Sequence, residues 1–259
     1  MILWLTVFFL LHTGRPDGRL VSAPLPASEV RQVMPATGEV HENLLRFSIR
    51  FSHPPDQQIF SNLKIVRSDG TALDEPFLNQ ELWSPDGKTL TVLFGPGRVK
   101  TGLIAHDTMG RPLHAGEQVE LQLCTVSLAH WMVTPEWIRP INPKEWRIGA
   151  PLAGTKGSLR LRFSQPIDGM DANLILVTRN GKPLQGAVVL NGDQTQWSFH
   201  PTTEWRKGHY TILVHPHLED PYGNEIGSAF ETPERNAAHS ETRPVVIPFE
   251  LRLALTSSL

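Results

Sequence analysis

His209, His215 and His217 are the residues of this 259-residue chain whose type and spacing come nearest to a reactive group. Residues of one parity on an extended strand point to one face, so the three imidazoles would turn the same way, with Glu219 and Asp220 close behind. Such a set could hold a metal that activates water for hydrolysis. Pro216 breaks the register between the last two, and no helical His/carboxylate motif accompanies them. Solvated strand-end histidines are the expected role, and no metal is assigned. Asp220 with Glu219 and Asn224 offers oxygen ligands of the kind calcium takes, but without the alternating acidic spacing of a calcium loop. A turn built by Asp220, Gly223 and Asn224 is the stronger expectation, the carboxylate capping amides and the glycine taking positive φ.

Nucleophilic chemistry finds less support. There is no Gly-x-Ser-x-Gly elbow, and the single cysteine, Cys124, sits in an apolar strand pattern where a buried, inert thiol is expected. Gly95-Pro96-Gly97 is interrupted by proline and leads into a loop, so no phosphate loop or dinucleotide fingerprint is present. No catalytic residue and no cofactor are assigned. The remaining candidate is the long segment 96–116, which mixes apolar Leu103, Ile104 and Met109 with basic Arg98, Lys100 and Arg111. Long loops on rigid β-frameworks carry recognition. The same segment read structurally is a lid folded back on its own domain, and both readings stand at this point.

The elements that would position these residues come from an internal repeat. Leu45-Arg-Phe-Ser-Ile-Arg-Phe-Ser-His-Pro-Pro-Asp56 and Leu159-Arg-Leu-Arg-Phe-Ser-Gln-Pro-Ile-Asp168 share Phe-Ser-x-Pro-x-Asp after an alternating strand. Leu63–Gly70 matches Leu174–Gly181, each an apolar strand ending in Asp-Gly or Asn-Gly, dipeptides suited to tight hairpins. Leu90–Pro96 matches Gln196–Pro201, and Ala115–Leu123 matches Lys207–Val214. The first copy is longer through insertions between strands, around 74–83 and 98–114. With 22 prolines and 20 glycines punctuating the chain, two tandem β-sandwich domains are expected, over 28–134 and 150–239. A proline-containing linker at 135–149 would join them, and a tail at 240–259 would carry one extra strand.

The second copy, with its Phe-Ser-x-Pro-x-Asp opening, Trp197-Ser-Phe-His-Pro201, Gly208–Val214 and Asp220-Pro-Tyr-Gly223-Asn224, resembles the bacterial immunoglobulin-like modules first recognised in S-layer proteins. The first copy resembles them more loosely. The resemblance implies an all-β fold of two tandem immunoglobulin-like sandwiches and a non-catalytic envelope role. The first copy lacks the Asp-x-x-Gly-Asn segment, and Val126–Val133 reads instead as a long strand apolar on both faces.

Met1–Leu11 is an apolar run too short to span a bilayer and reads as the core of a signal peptide within a leader over 1–27, so export to periplasm, cell surface or medium is expected. An uncleaved anchor and a misassigned start are the alternatives. No second apolar stretch is long enough for a span. A net charge of −2 gives no basic field for nucleic acid. The expected function is an envelope structural or protein-interaction module with an envelope protein or polysaccharide partner. The alternatives are carbohydrate binding on a platform of Trp83, Trp137 or Trp205, and a metal-dependent hydrolase using the three histidines.

Overall fold

A computed structural model describes residues 29–56, 58–231 and 243–253. The leader expected over 1–27 lies outside them, and among the described residues no helix is long and apolar enough to cross a membrane. Alternation builds the first strands: in β3 (Arg46–Phe51) Phe47, Ile49 and Phe51 are all buried. Around it the chain forms β1 (Val30–Met34), β2 (Glu39–His41), β4 (Leu63–Arg67), β5 (Leu82–Trp83) and β6 (Thr89–Leu93), then two short helices, α1 (Pro96–Val99) and α2 (Ile104–Met109), then β7 (Gln118–Leu123) and β8 (Val126–Thr134). One sheet has the order β1-β3-β6-β5; the other is β2-β8-β7-β4, with β2 parallel to β8. Their inner faces enclose one core, with Phe47, Ile49, Ile65, Leu90, Leu121 and Trp131 at its centre.

The second half repeats the plan with β9 (Arg147–Gly149), β10 (Leu159–Arg162), β11 (Ile175–Arg179), β12 (Lys182–Pro183), β13 (Gly186–Leu190), β14 (Gln196–Pro201), β15 (Gly208–Val214) and β16 (Val245–Leu251). Its sheets run β9-β10-β14-β13 and β12-β11-β15-β16. In strand letters these are A-B-E-D and C′-C-F-G, and those of the first half are A-B-E-D and A′-G-F-C, which is the immunoglobulin-like sandwich arrangement. The four repeated segments occupy B, C, E and F of each module. They match because each must bury one face against the opposite sheet, so their period-two pattern is constrained in both copies.

Four features depart from the sequence expectation. The second module's sheets reach beyond 150–239: β9 lies in the expected linker and pairs with β10, and the one extra strand expected in the tail forms as β16 and pairs with β15 over seven residues. The linker itself is no free spacer, since Ile141 and Trp146 enter the second core while Trp137 packs on the first. Cys124 is a half-buried turn residue with φ 55°, not a strand residue, because β7 and β8 join through only Cys124 and Thr125. In β8 one face dominates, Trp131 and Val133 being buried and His130 exposed.

The modules also differ in the connection between their last two strands. In the first it is that two-residue turn; in the second it leaves β15 at His215 and returns at β16 only after crossing to the first module. Tyr222 on this connection is a member of the first module's core, and Phe230 packs against it.

Candidate functional site

The segment 96–116 folds into an arm braced along its backbone. Pro96 opens α1, where a missing N–H costs nothing, and Gly110, at φ 69°, ends α2. Val99 and Leu113 are fully buried and pin the arm to the first core. Arg98 Nε donates to Gly110 O at 3.0 Å and its Nη1 to the Asp74 and Glu75 carbonyls at 3.2 and 3.3 Å. His106 Nδ1 lies 2.7 Å from Arg98 O. Arg111, nearly buried, donates to Val99 O at 3.3 Å, Glu42 at 2.9 Å and Glu136 at 2.5 Å. Lys100 sits over the Phe230 ring at 5.2 Å, and Thr101 donates through both N and Oγ1 to Glu231.

The six candidate residues of this segment therefore divide by chemistry. Arg98 and Arg111 spend their guanidinium donors on carbonyls and carboxylates inside the protein, and Lys100 faces the second module's connection. Leu103, Ile104 and Met109 remain 42%, 83% and 54% exposed on and beside α2.

Asp220, Gly223 and Asn224 lie at the contact between the modules. Asp220 is wholly buried and its carboxylate accepts four hydrogen bonds: Tyr222 N and Asn224 N at 2.9 Å each, Gln165 Nε2 at 3.0 Å and Asn224 Nδ2 at 2.8 Å. Burial pushes its carboxyl up to about 6, against the downward pull of these four donors. Gly223 has φ 82°, and a Cβ there would meet Leu45 Cδ2 and Phe230 Cδ2 at 2.9 Å each, so both conformation and space require glycine. Asn224 continues the network by accepting from Phe230 N at 3.1 Å. The backbone passes against the first module, Leu45 N and Arg46 N both donating to Pro221 O at 3.0 and 3.1 Å.

Beside this turn stands a charged cluster that the sequence reading did not single out. Arg46, at the start of β3, pairs with Asp168 at 3.0 Å and with Glu219, both from the second module. Asp168 caps the following 3-10 turn through Met170 N at 2.8 Å, and Asp171 accepts from Glu219 N at 2.8 Å. Burial, with the charges of Asp168 and Glu225 beside it, raises the Asp171 carboxyl to about 7 although Arg46 pulls it down. Asp168 is raised too, by burial. Its repeat counterpart Asp56 is exposed. The shared motif signals a turn in both copies, and only the neighbouring module turns the second copy's aspartate into an ion-pair partner.

The histidines do not converge. His209 opposes Glu250 near the start of β15, and six residues of strand, about 20 Å, separate it from His215. His215 and His217 have ring centroids 5.4 Å apart, and His217 Nδ1 is 3.3 Å from Glu225 Oε1. Among the described residues no group of three His, Cys, Asp or Glu side chains has the arrangement to hold a metal ion. The tryptophan platform is not formed either: Trp205 is buried, while Trp83 and Trp137 pack against the first core, and Trp137 also stacks on His41 at 5.3 Å.

No protein-family model and no curated protein matches this chain. Among solved structures, Group B Streptococcus pullulanase SAP aligns at 10% identity over 71% of this chain and 21% of that one, TM-score 0.24. This chain thus spans about a fifth of that protein's length. Domains 5–6 of the S-layer protein SbsC align at 9% identity over 89% of this chain and 99% of that one, TM-score 0.26. Mycobacterium tuberculosis L,D-transpeptidase 1 aligns at 12% identity over 88% and 100%, TM-score 0.30. At these scores the fold assignment rests on the strand order of the chain itself.

Proposed function

We propose that this chain is a non-catalytic, exported two-module element of the cell envelope that binds a protein partner through the exposed apolar side chains of the 96–116 arm. The observation that carries the reading is the contrast within the arm: its backbone is held by Arg98, His106 and Arg111, yet Leu103, Ile104 and Met109 are left facing solvent. Apolar side chains exposed on a fixed frame lose little entropy on binding and gain burial, the properties of an interface anchor. Support also comes from the contact between modules, which ties the arm to the second sandwich through Glu231 and Phe230.

Photo-crosslinking from position 107, exposed on the same helix between the two apolar side chains, in envelope extract tests this. The intact arm should give a discrete adduct that disappears in an Ile104→Ser/Met109→Ser variant of unchanged thermal midpoint. An identical adduct pattern from both proteins, or no adduct from either, overturns the reading.

A further inference from the structure

At the opposite end of β15 from the first module, about 20 Å away along the strand, the second module opens into a cleft of about 870 Å³. Among the described residues four cations line it, Lys156, Arg179, Arg206 and Lys207, against one carboxylate, Glu204. None of the four makes an ion pair with a carboxylate among the described residues, whereas Arg46, Arg67, Arg111 and Arg139 elsewhere all do. The chain's net charge of −2 averages over this local excess.

The cleft is a fixed shape. Tyr210 OH donates to Arg206 O at 2.8 Å and accepts from Arg206 N at 3.0 Å, which holds the β14–β15 loop against the strand. Trp205 under that loop is buried, its Nε1 donating to Gly157 O at 2.7 Å, and Trp205 N donates to Thr155 O at 2.8 Å. Arg179 lies over the Tyr210 ring at 5.3 Å and donates to Lys207 O at 3.0 Å, so its guanidinium is held in place at the wall. Exposed Thr202, Thr203 and Gln185 add hydroxyl and amide groups along the same walls.

We infer that this cleft binds an acidic oligosaccharide, the cations pairing with its anionic groups and the threonine and glutamine side chains with its hydroxyls. The volume falls in the range of small-ligand sites, and a concave wall with neutral polar groups between charges fits a chain of sugars. A planar bilayer would meet a convex basic surface better. The tryptophan and tyrosine rings serve here as the floor that positions the charges and not as a stacking platform. The site is independent of the 96–116 arm.

Calorimetric titration of the full chain with a short oligogalacturonate at ~50 mM salt tests the inference, with neutral dextran oligomers and vesicles of phosphatidylglycerol and phosphatidylcholine as parallel probes. Expected are saturable binding of the oligogalacturonate that weakens as salt rises, none of dextran, and a loss of about tenfold or more in Lys156→Glu/Arg206→Glu/Lys207→Glu, whose side chains are exposed. Glu204→Gln, which removes the only carboxylate lining the cleft among the described residues, should tighten binding by about twofold. No binding of oligogalacturonate, equal binding by the triple variant, or binding confined to the vesicles each overturns the proposal. Should the triple variant misfold, Glu204→Gln decides alone, an unchanged or weakened affinity counting against it.

Discussion

Replacing Asp220 by alanine should be among the most destabilising single changes in this protein. The substitution removes one acceptor group and leaves four donors, two of them backbone amides of Tyr222 and Asn224, in a site with no solvent exposure. A buried donor left without a partner costs about 1–3 kcal/mol, and rearrangement or entry of a water recovers part of that, so a loss of about 3–5 kcal/mol is expected. Asp220→Asn keeps the shape but aims an amide N–H₂ at donors on Gln165 or Asn224, and about 2 kcal/mol should still be lost. Urea unfolding followed by tryptophan fluorescence at pH 7.5 reads the effect, with a midpoint about 1–2 M lower for the alanine variant. The pH dependence supplies an internal check. Burial raises the Asp220 carboxyl to about 6, so the folded chain holds a proton that the unfolded chain releases near pH 4. Its contribution therefore falls as pH rises from about 4 to about 6 and is level above, so the alanine variant should be less steep over this range, keeping the part that Asp171 supplies. A midpoint within about 0.3 M of the parent would refute the reasoning, because it would mean that the carboxylate is not what satisfies these donors.

Asp171→Asn keeps the acceptor for Glu219 N and removes the buried charge; since the parent's carboxyl is raised to about 7, its stability should fall between pH 4 and 7, and the variant should be flatter and about 1–3 kcal/mol more stable at pH 8 by calorimetry. Arg46→Ala strands Asp168 and Glu219 without their cation and should cost about 3–5 kcal/mol in denaturant unfolding, with Arg46→Lys restoring part. Gly223→Ala forces a Cβ into Leu45 and Phe230 at positive φ and should lower stability by about 2 kcal/mol or more, read as a drop in thermal midpoint. Ile104→Ser, on an 83% exposed side chain, should change stability by no more than about 0.5 kcal/mol, so that any effect on crosslinking reports the surface and not the fold.

The sandwich architecture was legible along the chain because its causes are local in sequence. Alternation in 47–51 and 159–163 reports which face of a strand is buried, and Asn180-Gly181, both at positive φ, closes a hairpin by its own backbone preference. The helices of the 96–116 arm escaped notice because segments of four and six residues are too short to show a helical period. The candidate arm residues were found from composition, yet which of them face solvent depends on carbonyls at Asp74, Glu75 and Gly110 that no spacing rule connects to Arg98. The junction cluster draws Arg46 from one module and Asp168, Asp171 and Glu219 from the other, and the basic cleft gathers Lys156, Arg179, Arg206 and Lys207 from three separate stretches. Residues far apart in the chain meet only because strand ends and loops converge at the poles of a sandwich. The sequence by itself thus determined the strands, the turns and the duplicated plan, each a matter of neighbouring residues. How the two copies dock, and where charge and exposed apolar surface collect, was decided by tertiary structure, since those properties belong to sums over distant residues.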